Sequence, residues 1–202
     1  MLDSRIHHVC VSIHSRASRC ALVFETKPTK MKAPKLLLAA LLISATTLFA
    51  DIPKVSDTAL LITGKDQNGK DFKLADLVGK KIVLLYFYPK DFTVGCIKEA
   101  RIFRDEFKDL ATANVEVVGV SFDSCESHLQ FITQYKLPFT LLADTDGKIA
   151  DIYGVRMPGK NMANRVSFLI GLDGKIVHVT NSGNPDVHIT EMNQAIAGLK
   201  KN

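Results

Sequence analysis

The chain has 202 residues, 47% of them hydrophobic, no Trp and a formal charge of +5, a composition that excludes a collagen, a coiled coil and a disordered tail. Residues 1–50 hold seven Lys+Arg against two Asp+Glu, which leaves nineteen of each sign for residues 51–202. The later part is therefore neutral and offers no basic footprint for nucleic acid.

The chain begins with two unlike stretches. Residues 1–30 show no apolar periodicity and read as sequence upstream of a start at Met31, or else as an organelle transit segment. Residues 31–50 run from the positive Met31-Lys32-Ala33-Pro34-Lys35 through the apolar Leu36 to Ile43 to a small, polar end at Ala50. That is the layout of a signal peptide cleaved near Ala50. Its apolar run falls short of the roughly 18 residues a membrane span needs, and an uncleaved anchor reaching Phe49 is the alternative. The expected product is an exported protein, periplasmic in a bacterium and without stable membrane association. The mature part, 51–202, keeps only Cys96 and Cys125, which excludes a disulfide scaffold.

From residue 51 the pattern alternates strands and helices. Leu60 to Thr63 and Phe72 to Leu74 flank Asn68-Gly69, the signature of a hairpin. Ile82 to Phe87 is an unbroken apolar run of strand length, which predicts a central strand buried on both faces. A helix is expected from Cys96 to Thr112, a second buried strand over Val115 to Val120, and a helix over Ser124 to Tyr135, together a parallel βαβ unit. Phe139 to Leu142 is another strand. Val166 to Ile170 and Ile176 to Thr180 pair across Asp173-Gly174, and Ile189 to Leu199 closes the chain as a helix. The sum is one α/β domain with a mixed sheet flanked by helices.

The stretch from Tyr86 to Cys96 carries the chemistry. A Cys in the first turn of a helix, just beyond a central strand, meets the helix's unsatisfied N–H groups and the positive end of its dipole, which favours the thiolate. The alternative is a small buried hydrophobe. Pro89, Thr93 and Cys96 fall in the order Pro-x-x-x-Thr-x-x-Cys. The chain thereby resembles the peroxiredoxins, and specifically their bacterioferritin comigratory protein or peroxiredoxin Q branch. The likeness extends to Glu99, Phe103-Arg104-Asp105, Gly119-Val120-Ser121, Asp123-Ser124, Leu137-Pro138-Phe139 and Arg165 to Ile170, over about residues 55–199.

The resemblance implies a thioredoxin-like fold and a peroxidase that reduces hydrogen peroxide and organic hydroperoxides, in antioxidant defence and redox homeostasis. It makes Cys96 the peroxidatic thiolate, gives Thr93 a hydrogen bond to thiolate and peroxide, has Pro89 shield the sulfur, and has Arg165 hold thiolate and leaving oxygen. It implies no cofactor and no metal. The partners would be a peroxide and an external thiol, either a thioredoxin-like protein or a small thiol, and the enzyme would be a monomer or homodimer. Read alone, Thr93 is equally a helix cap, Pro89 a turn residue and Arg165 a solvated charge.

Two positions depart from the branch pattern. Arg101 stands where many members carry a resolving Cys, and Val94 where Pro is common. Cys125 is a candidate relocated resolver, because Ile132, where some members resolve, lies two turns along the same helix face. A one-Cys route with an outside thiol is the favoured reading. His128 reads as a capping or packing residue, and His178 and His188 lack ligand spacing. Two other classes of the same fold fit less well. A disulfide oxidoreductase would want Cys-x-x-Cys, but Ile97-Lys98-Glu99 follow Cys96, and a metal-delivery module would want a second Cys at Ala100.

Overall fold

The computed structural model describes residues 50–199, so the leader, with its signal-peptide and anchor readings, lies outside the described residues. The seven strands are β1 Thr63–Asp66, β2 Asp71–Lys73, β3 Ile82–Phe87, β4 Val115–Ser121, β5 Thr140–Ala143, β6 Val166–Ile170 and β7 Ile176–Asn181. The helices are α1 Val94–Asp105, α2 Phe107–Thr112, α3 Cys125–Tyr135, α4 Lys148–Ile152 and α5 Pro185–Leu199. One mixed sheet runs β2-β1-β5-β4-β3-β6-β7. The pairs β3–β4 and β4–β5 are parallel, whereas β6 lies antiparallel to β3. This is the expected α/β thioredoxin-like domain. Among the described residues no helix is long and apolar enough to cross a membrane.

Strand β3 shows why the unbroken run was needed. Alternate residues of a strand point to opposite faces, and both faces here are covered. Val83, Leu85 and Phe87 enter a core shared with Val118, Phe168, Tyr153 and α4, while Leu84 and Tyr86 enter a second core with Phe103 of α1, Phe131 of α3 and Met192 of α5. Each such large side chain contributes roughly 1.5–3 kcal/mol on burial. Across from Tyr86 in the β3–β4 register stands Gly119, where a Cβ would lie 2.7 Å from the Tyr86 hydroxyl and 2.6 Å from Leu141 Cδ2. A side chain there would displace the Tyr86 ring, which packs on Tyr88 and Phe103.

The closing helix starts at Pro185, four residues before the expected Ile189, and three further elements differ from the sequence reading. The hairpin exists, with Gly69 at φ +74° and two backbone N–H groups donating to Asp66 Oδ1, but its first strand starts at Thr63 rather than Leu60. Leu60 and Leu61 of the apolar run are exposed, and only Ala59 and Ile62 reach the core. The helix expected over 96–112 begins at Val94 and is interrupted at Glu106 into α1 and α2. Short α4 was unforeseen. It is started by the buried Asp144 carboxylate, which accepts from the N–H groups of Ile149 and Ala150.

Candidate active site

The chain leaves the sheet at Phe87, passes through an exposed loop and enters α1, whose N-cap is Thr93. Thr93 has extended φ and ψ, as an N-cap requires, but its side chain does not cap the helix. The first bond of the helix runs from Ile97 N–H to Thr93 O at 2.8 Å, so the N–H groups of Val94, Gly95 and Cys96 have no partner within it. Cys96 lies in that first turn, 2% exposed.

Arg165 reaches this thiol because the β3–β6 register sets Val166 opposite Phe87, so the residue before β6 emerges beside the loop that follows β3. Its Nη2 donates to Cys96 Sγ at 3.3 Å and its Nη1 donates to Glu99 Oε2. Glu99 lies three residues after Cys96, hence on the same helix face. One guanidinium therefore spans sulfur and carboxylate. Gly95 permits the approach, since a Cβ there would come within 3.1 Å of Nη2.

The electrostatics follow from burial. Glu99 is 1% exposed, and its carboxyl is pushed up to about 8 by burial against the opposing pull of Arg165. Burial works against the charge of Arg165 also, yet Glu99 and Cys96 together hold its pKa above the ordinary guanidinium value. Tyr86 is held neutral by burial and by the fields of Glu99, Asp91 and Cys96. Behind Glu99, His188 donates from Nε2 to Ser182 O at 2.9 Å and has its Nδ1 at 2.7 Å from the Ser167 hydroxyl. Burial lowers its pKa, which favours the neutral ring.

The predicted site residues thus fall into two sets. Cys96 and Arg165 are in contact, and Pro89 is half-buried in the adjoining loop. Thr93 sits at the mouth, but its hydroxyl donates to Lys90 O at 3.0 Å instead of to the sulfur. Cys125, the first residue of α3, is half-buried, and both it and the buried Cys96 are free thiols. Sequence reasoning gave no role to Asp91, whose carboxylate is bonded to His128, nor to Glu99 beyond its place in the resemblance. An acid one helical turn after Cys96, on the same helix face, is the spacing that could have singled out Glu99.

A buried thiol at an open helix terminus, gripped by an arginine from the neighbouring strand of a thioredoxin-like sheet, defines a cysteine-based redox enzyme. The chain matches the AhpC/TSA family over residues 55–179. It is 42% identical over 146 residues to the putative peroxiredoxin bcp of Coxiella burnetii, covering 69% of this chain and 95% of that protein. To the chloroplastic peroxiredoxin Q of Sedum lineare it is 39% identical over 161 residues, covering 76% and 83%. The crystal structure of peroxidoxin BcpB from Mycobacterium tuberculosis superposes with a TM-score of 0.68 at 32% identity, covering 72% of this chain and 97% of that one. The chain belongs to the AhpC/TSA family, in its bacterioferritin comigratory protein and peroxiredoxin Q branch, and is a thiol peroxidase.

Proposed function

We propose that Cys96 is the peroxidatic residue and that Arg165 and the free N–H groups of α1 form its transition-state cradle. The observation that carries this is the 3.3 Å contact between Arg165 Nη2 and a buried sulfur at the open start of a helix. In the reaction the thiolate attacks the near oxygen of a hydroperoxide and the O–O bond breaks. Cys96 becomes a sulfenic acid, and the departing alkoxide or hydroxide takes up a proton to leave as alcohol or water. Thr93 joins the site by turning its hydroxyl from Lys90 O to the peroxide, and Pro89 keeps bulk water from the sulfur. Hydrogen peroxide and organic hydroperoxides are both substrates.

The sulfenic acid then condenses with a reducing thiol and releases water, and a second thiol frees Cys96 by disulfide exchange. The thiol comes from outside, a thioredoxin-like protein or a small thiol, and the enzyme works as a monomer or homodimer. Cys125, a half-buried free thiol at the start of α3, is the other candidate resolver. Residues 31–50 direct the enzyme to export, with organelle targeting as the other reading of the leader.

Intact mass of the reduced chain after one equivalent of hydrogen peroxide, beside the Cys96→Ser variant, tests the reading. One added oxygen or a linked dimer, absent in the variant, is expected. Loss of two hydrogens would assign resolution to Cys125, and an unchanged mass would refute the peroxidatic role.

A further inference from the structure

The loop between β3 and α1 is exposed at Lys90, Phe92 and Thr93, yet Asp91 between them is 3% exposed. A carboxylate is costly to bury unless every oxygen is bonded. Here Oδ1 accepts from the Tyr88 hydroxyl at 2.8 Å, and Oδ2 accepts from the Ser127 hydroxyl at 2.7 Å and lies 2.9 Å from His128 Nδ1. The backbone N–H of Asp91 donates to Asp123 Oδ2 at 2.8 Å, which also accepts from the Ser121 hydroxyl. His128 is fully buried, and its Nε2 lies 3.1 Å from Leu142 O, a group that can only accept. Nε2 must therefore carry a hydrogen, and Nδ1 faces Asp91 Oδ2.

Apart from Tyr88, every side-chain partner of Asp91 belongs to α3 or to the short connection that leads into it from β4. The next residue confirms where the loop is held. Phe92 has φ +60°, a left-handed conformation unfavourable for an aromatic residue. Its ring packs edge-on against Phe131, 5.2 Å between centroids, and against Tyr135, both on α3. The chain is thus forced through a strained turn immediately before Thr93, and α3 holds it there on a polar and an aromatic anchor.

We propose that Asp91 and His128 are a positioning pair for peroxide reduction: by fixing the loop to α3 they set Thr93 and the free N–H groups of Val94, Gly95 and Cys96 in register with the sulfur. The pair touches neither thiol nor peroxide and acts through the loop. This rests on Cys96 as the peroxidatic residue and adds α3 as the strut that orients its surroundings. Such alignment is worth orders of magnitude in rate, so a small shift of the loop is expensive.

The test compares three readings in Asp91→Ala, His128→Leu, Asp91→Asn and the unaltered chain: the rate of Cys96 oxidation by hydrogen peroxide, the rate of alkylation by iodoacetamide, and amide hydrogen exchange. Alkylation needs the thiolate but not the oriented peroxide. Asp91→Ala and His128→Leu are expected to slow oxidation at least about tenfold, to change alkylation by less than about threefold, and to speed exchange over residues 90–96 while β3 and β4 stay protected. Asp91→Asn, whose amide can donate to a neutral His128, restores most of the rate. If the first two variants keep the sheet protected and oxidise within about twofold of the unaltered chain, the pair is merely structural and the proposal fails. Should they not fold, Tyr88→Phe removes one hydroxyl from the same network. It is expected to slow oxidation and loosen 90–96, and normal values for both would refute the proposal. An unchanged mass of the unaltered chain after peroxide would overturn the peroxidatic assignment itself, a separate result.

Discussion

Replacing Arg165 by Gln removes the charge that spans Cys96 and Glu99 while keeping a planar donor. Two consequences follow, one catalytic and one on stability. A preorganised donor aimed at developing charge is worth about 2.7–4 kcal/mol, so kcat/KM for hydrogen peroxide is expected to fall about 100- to 1000-fold. A change in thiol acidity cannot supply that factor. A thiol pKa moved from about 6 to 8.5 loses roughly 30-fold in thiolate at pH 7 but regains about 13-fold in nucleophilicity, a net change of about twofold. The stability effect depends on Glu99, whose carboxyl stands at about 8 in the fold and near 4.5 when exposed. Between those values the folded state binds more protons than the unfolded state, so stability falls as pH rises and levels off above about 8. Without the guanidinium that pulls it down, the Glu99 carboxyl moves higher still and the fall continues. The deficit of Arg165→Gln should therefore be about 1.4 kcal/mol larger at pH 9 than at pH 7. Urea unfolding at the two pH values, in a Cys96→Ser background that removes the thiol's own titration, measures it. An equal deficit at both, or a kcat/KM loss below tenfold, would refute the reasoning.

Gly95→Ala should separate activity from stability. The new Cβ would crowd Arg165 Nη2 at 3.1 Å and lower kcat/KM several-fold, while helix propensity raises stability by roughly 0.5–1 kcal/mol, and an unchanged kcat/KM would show that the guanidinium has room to move. Gly119→Ala should destabilise by about 1–3 kcal/mol or more in urea, because its Cβ would lie 2.6 Å from Leu141 Cδ2 and 2.7 Å from the Tyr86 ring. His188 has its pKa lowered by burial, so the unfolded state takes up the proton first and stability falls as pH drops below about 6.5. His188→Asn should flatten that part of the stability–pH curve, and an unaltered slope would assign it to other groups.

What the sequence made legible has a physical pattern. Strands β3, β4 and β6 are covered on both faces, and their apolar runs, unbroken in β3, interrupted at Glu116 and Ser121 in β4 and at Ser167 in β6, lack the polar alternation of a half-exposed strand. Strand β1 misleads because it pairs near the sheet edge and its residues, Thr-Gly-Lys-Asp, bury little. The more apolar Leu60 and Leu61 beside it face outward, so hydropathy pointed three residues too early. Helix α4 has five residues, too few to show a period, and its start is set by Asp144, whose burial no local pattern reveals.

The site divides in the same way. Pro89, Thr93 and Cys96 are neighbours in sequence and their spacing announces them. Arg165 lies 69 residues from Cys96 and joins it only through the pairing of β6 with β3. Glu99, Asp91 and His128 look like ordinary polar residues of a helix, a loop and another helix until their burial is known. The difference is chemical. Residues that meet the peroxide must be of particular types at a particular turn, which leaves a motif, whereas those that hold the motif in place need only be buried and fully bonded. In the proposed mechanism the sulfur and the arginine supply the reactivity, and Glu99 and Asp91 aim it. Substitutions at these two positions should accordingly alter the rate of peroxide reduction while leaving the thiol free to react with alkylating agents.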